Sequence, residues 1–394
     1  MAVNTMTFNQ LATVLASIVS QATGSAVLTP TDTSSFVSVG KLGLETGMDP
    51  LNNAISQVLS RTIFSIRPYE SKFRGLEMDE MKWGNHVRKI NFSDTGFEED
   101  DRIKLVDGYS IDQQVVKKPA VFQTNFYGEN VYQKSITIYR DQLDVSFSSP
   151  EEFSRFIGGV MQTVSDELEQ ARENTARATI ANMIGGHYIL DGASATKGCV
   201  VHLITEYNAF SGQNIDATTV FTPTVFPDFA KWLYGRLATI SRMLQERSEM
   251  YHLNFTGKAV KRHTPVARQR LIMLAQNMDQ ISSNVLSSVF HDEYLRTIPR
   301  TEIGYWQSIL SPAAINLDDA GYVGANGAVA AGNASLTNVF GVLFDEEAAG
   351  YTLVNQWSNP APFNARGGYT NFYWHETQRF YNDFTENCVV FCLD

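Results

Sequence analysis

The stretch SSPEEFSRFIGGVMQTVSDELEQARENTARATIANMIGG restricts the possible folds more than any other part of the chain. Ser149 is placed to cap a helix, Pro150 takes the first helical position, and Glu152 completes a capping box. Gly185 and Gly186 predict the stop. The spacing predicts a helix over about 149–185, roughly 50 Å long at 1.5 Å per residue. Phe153, Ile157, Val160, Val164, Leu168, Ala171 and Thr175 form one stripe, with Asp166, Glu169, Arg172 and Glu173 largely opposite. Such a helix buries one face along a sheet and leaves the other to water, as a spine does.

The chain before this spine divides in two. Near its start, LATVLASIVSQATGSA resembles the apolar core and cleavage site of a signal peptide, but the first basic residue is Lys41, so the positive flank is missing. Phe8, Leu11, Leu15 and Ile18 recur at helical spacing, which predicts an amphipathic helix lying on a partner surface. The Ser/Thr/Gly-rich TGSAVLTPTDTSSFVSVGKLG reads as an extended arm that cannot build its own core, and helical periodicity returns over 51–66.

From about 76 to 140 the pattern is β. HVRKINF and YQKSITIYR alternate as strands, and PAVFQTNFYGENVY is aromatic-rich with a turn at Gly128. Between them, SDTGFEEDDRIKLVDGYSIDQQVVKKP holds too few large apolar residues for a core and reads as a protruding two-stranded loop.

Beyond the spine, FPDFAKWLYGRLATISRMLQERS predicts a helix, and TPVARQRLIMLAQNMDQISSNVLSSVF predicts another that starts at Thr264 and Pro265. Residues 321–336 read as a low-complexity loop. NVFGVLFDEEAAGYTLV reads as strand, turn at Asp345 and Glu346, a single helical turn, and strand. In the closing segment Phe372, Trp374, Phe380 and Phe384 share one parity and Tyr373, His375 and Tyr381 the other, so both faces are apolar, as in a central strand.

Composition narrows the function. Charged residues make up 19% of the 394 residues, which suggests a surface that ends up covered, and the formal charge of −11 argues against tight nucleic-acid binding through a basic patch. No apolar run is long enough to cross a membrane. Cys199, Cys388 and Cys392 are too few and too unevenly spaced for a disulfide framework and read as small buried apolar residues.

Signals for chemistry are sparse. The seven histidines form no metal-binding spacing, and His291, Asp292 and Glu293 are adjacent residues that point apart on a helix. No nucleophile elbow or phosphate-binding loop is present. Glu376, Asp383 and Glu386, with His375, could supply a glycosidase-like acid and base, but the central-strand parity favours a structural role. No catalytic residue, cofactor or metal is expected.

The order of arm, protruding β loop, capped spine helix, helical middle and strand-turn-strand finish resembles the major capsid proteins of tailed bacteriophages, the Hong Kong 97-like α+β fold. VFGVLFDEEAAGYTLV and NFYWHETQRFYNDFTENCVVF look like that family's late strands, and TPVARQRLIMLAQNMDQISSNVLSSVF with GYWQSI is similar to small short-tailed, picovirus-type phages. The resemblance implies an N-arm over 1–60 and an E-loop over 76–130. It implies a P-domain from 61–75, 131–224 and 338–394 around the spine, and an A-domain over 225–337. It also implies hexamers and pentamers of an icosahedral shell around double-stranded DNA, assembled in the host bacterial cytoplasm as the virion capsid. Partners would be the chain itself, a scaffolding protein, a portal and decoration or head-fibre proteins, and no membrane. Contacts between subunits are then expected from Phe97, Glu98, Glu99, Asp100, Asp101, Arg102, Lys117 and Lys118 of the E-loop, and from Phe8, Leu11, Leu15 and Ile18 of the arm. An encapsulin-like compartment shares this fold and is the nearest alternative, with a carbohydrate-active hydrolase more distant.

Overall fold

A computed structural model describes residues 7–59, 69–78, 87–94, 96–191, 198–277 and 300–394. Three helices come first: α1 (Phe8–Thr23), α2 (Thr33–Thr46) and α3 (Met48–Leu59). The stretch expected to be extended is therefore helical over 33–46. Asp32 starts α2 with a capping box, its Oδ1 accepting from Ser35 N–H at 2.7 Å. Gly40 and Gly43 let α2 lie close to its neighbours: a Cβ on Gly40 would stand 2.9 Å from Phe147 Cβ, and one on Gly43 3.0 Å from Val19. Low helix propensity is overridden here by close packing.

Strands β1 (Val87–Phe92) and β2 (Val121–Phe126) pair antiparallel as an isolated ribbon. Then come β3 (Gly128–Tyr139), α4 (Arg140–Ser146) and the spine helix α5 (Pro150–Asp191). Ser149 caps the spine as expected, its Oγ accepting from Glu152 N–H at 3.2 Å. The helix is 42 residues long and passes through Gly185 and Gly186 without stopping. Those glycines serve packing instead: a Cβ on Gly185 would lie 2.8 Å from Leu317, and one on Gly186 2.5 Å from the Phe384 ring. The polar side of the spine is also partly covered. Glu173 is buried, its carboxylate bonded by the Tyr69 hydroxyl and by Arg177.

After β4 (Val200–His202), α6 (Leu203–Ser211) and α7 (Phe226–Met243) comes β5 (Gln269–Leu274), where the sequence pattern predicted a helix from Thr264. Leu271 to Leu274 form a short apolar run buried on both faces, the kind of run that periodicity cannot tell from a buried helix. Residues 275–277 turn helical, while residues 278–290 of that expected helix, the His291–Asp292–Glu293 triplet and residues 60–66 lie outside the described residues. Strand β6 (Arg300–Ile303) follows, then β7 (Ile315–Val323) and β8 (Val329–Leu336), which form a hairpin where a structureless loop was expected. The chain ends with β9 (Val339–Asp345), β10 (Ala349–Pro360), β11 (Tyr369–Asn382) and β12 (Cys388–Cys392).

Two sheets organise the molecule. One has the order β10-β11-β3, with β11 central as its parity predicted. The other has the order β4-β12-β9-β5-β6. Strands β11 and β12 therefore do not pair with each other. The five-stranded sheet also joins strands from both sides of the boundaries expected at 225 and 338.

The spine's first half, α1 to α3 and the inner face of the three-stranded sheet enclose Leu15, Phe36, Phe153 and Phe372. Its second half and the β7–β8 hairpin cover one face of the five-stranded sheet at Ile272, Val342 and Val390. Helices α6 and α7 cover the other face at Leu271, Leu343 and Val389. All three cysteines are buried thiols not joined in disulfides. Among the described residues no helix is long and apolar enough to cross a membrane.

Candidate assembly interface

Strand β1 is built inside out. Its inward parity holds Val87, Lys89 and Asn91, while Ile90 and Phe92 face water. Phe92 lies opposite Val121, also exposed, so the ribbon carries an outward apolar strip. In the loop between the strands Phe97, Ile103, Leu105, Val106, Val115 and Val116 are all exposed as well.

The expected contact residues gather on this loop. Glu98 pairs with Lys117, Asp100 with Arg102, and Asp101 with Lys104 at 3.4 Å, all on the surface. Glu99 and Lys118 are exposed as well. Glu98–Lys117 ties the loop's two limbs together, the other two pairs are local to one limb, and all three contribute little to stability.

The base of the ribbon is held differently. The chain crosses between the sheets twice, at 346–348 and at 383–387, and the crossovers are joined by a hydrogen bond from Asp383 N–H to Ala348 O at 2.7 Å. They bring together Glu347, Asp383 and Glu386. Lys89 reaches all three, with Nζ 2.8 Å from Asp383, 2.5 Å from Glu386 and 3.3 Å from Glu347. Burial alone would depress the Lys89 ammonium, but Asp383 and Glu386 outweigh it and hold its pKa above the usual lysine range. Burial pushes the Glu386 carboxyl up, against the pull of Lys89 and Arg262.

Arg262 completes the anchor, 3.1 Å from Glu386 and donating to Asn91 Oδ1 at 2.7 Å. At the edge of the ribbon, Asp94 pairs with Arg247 and accepts from Lys261 N–H at 2.8 Å. Lys89, Asp94, Arg247 and Arg262 escaped the sequence reading. The signal for Lys89 was present: it shares the parity of Val87, whereas Ile90 and Phe92 take the other.

The other expected contact residues lie elsewhere. Leu11, Leu15 and Ile18 are buried in the chain's own core, and Phe8 packs against Phe36 with ring centroids 6.3 Å apart. The apolar stripe of α1 thus faces its own subunit in place of the free partner surface the sequence suggested.

The enzyme-like carboxylates are engaged by cations. Glu376 is 0% exposed and receives a bidentate Arg172, Nε to Oε1 at 2.9 Å and Nη2 to Oε2 at 2.8 Å. Asp383 and Glu386 hold Lys89. His375 stacks on Trp357, centroids 3.9 Å apart. This arrangement braces the sheet against the spine and offers no open acid and base pair.

The chain matches the family of Phi29-like phage major capsid proteins over residues 15–392. Its fold is similar to a chain in the capsid structure of Staphylococcus phage Andhra, with 9% identity and a TM-score of 0.54, covering 84% of this chain and 87% of that one. It is likewise similar to a chain in the structure of head fiber and inner core protein gp22 of native bacteriophage P68, with 10% identity and a TM-score of 0.51, covering 84% and 87%. Among curated proteins there is no match. The chain belongs to the Phi29-like phage major capsid proteins, and it is a structural component that builds the icosahedral shell of a tailed-phage virion, not an enzyme.

Proposed function

We propose that the β1–β2 ribbon with its loop is the E-loop through which one subunit of the shell grips the next. The observation that carries this reading is the exposed apolar set Ile90, Phe92, Phe97, Val106 and Val116, on a base locked by Lys89. Exposed large apolar side chains concentrated in one ribbon and its loop mark an interaction site, and a fixed base spares it part of the cost of ordering on docking. Glu98, Glu99, Asp100, Asp101, Arg102, Lys117 and Lys118 then form the polar rim that sets register.

The same reading extends to hexamers and pentamers closing around double-stranded DNA, with a scaffolding protein and a portal during assembly and decoration or head-fibre proteins outside. The chain's formal charge of −11 suits a wall that DNA slides past without sticking. The double variant Phe97→Asp, Val106→Asp tests the grip. It is expected to keep the wild-type circular dichroism spectrum and to lose shells by roughly tenfold or more in negative-stain electron microscopy. Shells at wild-type yield would overturn the reading.

A further inference from the structure

The turn Ser308–Ser311 reverses the usual chemistry of a turn tip. Its central residues Ile309 and Leu310 are 74% and 90% exposed, where small polar residues ordinarily stand. The turn is firmly held. Ser311 N–H donates to Ser308 O and Leu310 N–H to Ser308 Oγ, both at 3.2 Å. Below it, buried Trp306 donates from Nε1 to Val339 O at 3.1 Å, and Gln307 exchanges two hydrogen bonds with the backbone of Asn316, at 2.7 and 3.0 Å. Two aliphatic side chains are thus presented on a fixed support, a geometry that loses little conformational freedom on docking.

The stem of this turn, Tyr305 to Gln307, forms one wall of an open cavity of about 480 Å³. Ala178, Ala181, Leu317 and Phe380 supply much of its apolar lining. The chemistry of the turn complements that of the cavity. It offers two exposed aliphatic side chains, Ile309 and Leu310, for the apolar walls.

Knob and cavity stand side by side on one chain. A second copy turned about a two-fold axis can therefore set each knob over the other's cavity, the self-complementary arrangement of an isologous contact. We propose that the Ser308–Ser311 turn inserts into this cavity of a second copy of the chain across a local two-fold axis. The inference rests on the shell-building role and adds a contact separate from the β1–β2 ribbon.

The test uses the full chain assembled into shells. Copies carrying Leu310→Cys are co-assembled with copies carrying Ala178→Cys and then oxidised. A disulfide-linked dimer is expected on a non-reducing gel, roughly tenfold or more above either variant assembled alone. The native cysteines do not compete, because all three are buried. Leu310→Asp, at an exposed position, is expected to leave the unfolding midpoint unchanged and to lower shell yield. A dimer no more abundant than in the single variants, or full shell yield from Leu310→Asp, overturns the knob. Shells that survive Leu310→Asp but not the Phe97→Asp, Val106→Asp variant would sink this contact and leave the E-loop reading standing.

Discussion

The loop tip at residues 97–118 and the crossover at 383–387 carry similar residues, carboxylates set among cations and apolar side chains, in opposite surroundings. At the tip the pairs Glu98–Lys117 and Asp101–Lys104 stand exposed in a loop whose apolar side chains are left uncovered by the described residues. At the crossover Asp383 and Glu386 are buried, and Lys89 and Arg262 neutralise them under the sheet junction. The contrast separates two jobs that composition alone confuses. Buried ion pairs fix where the ribbon leaves the body, and exposed apolar residues supply the proposed contact with another subunit. The segment richest in chemically reactive side chains is the brace, and the plainer one is the proposed working surface.

Removing Lys89 should break the contrast most sharply. Lys89→Met leaves three neighbouring carboxylates short of a cation, and the loss is expected at about 3 kcal/mol in urea unfolding at neutral pH, because an unpaired buried charge costs several kcal/mol. A loss below about 1 kcal/mol, the range of surface pairs, would put the crossover in the same class as the tip.

His187 gives a comparable effect through pH. It lies wholly buried on the spine with its ring 5.1 Å from Phe384, and burial holds its pKa down at about 4. Between pH 6.5 and 4 the unfolded chain therefore binds a proton that the native chain refuses. The stabilisation is fully present above pH 6.5 and is lost as pH falls through 4, about 3 kcal/mol in all. His187→Leu should flatten that part of the stability profile relative to wild type, and an unchanged slope would place the ring in a wetter site. The smallest effect belongs to the tip. Lys117→Ala should leave the unfolding midpoint unmoved, and a measurable drop would mean that the tip braces the fold after all.

Much of this was legible in the sequence. The cap at Ser149 and Pro150, the stripe from Phe153 to Leu168 and the parity of Phe372 and Trp374 each report a local rule that the fold obeys. The loop's poverty in core-forming residues likewise marked it as protruding. Other features were hidden because their cause is distant in sequence. Arg270 to Leu274 becomes a strand because β9 lies beside it, paired from Gln269 to Asp345 onward. Glycine has low helix propensity, yet Gly40, Gly43, Gly185 and Gly186 all sit inside helices, since only a residue without a side chain lets Phe147, Leu317 or Phe384 come so close. The stripe of α1 was visible, but its direction, toward its own spine and not toward a neighbour, was not.

The sequence by itself determined what depends on nearest neighbours along the chain: where the spine begins, which strands alternate, and which stretch is too polar for a core. Only the tertiary structure decided which strands share a sheet, that Lys89 closes on carboxylates from two crossovers far along the chain, and that two aliphatic residues end a turn beside an open cavity. The physical reason is that local propensity is summed over a few residues. Pairing, burial and charge neutralisation are settled by whichever distant segment arrives to complete them.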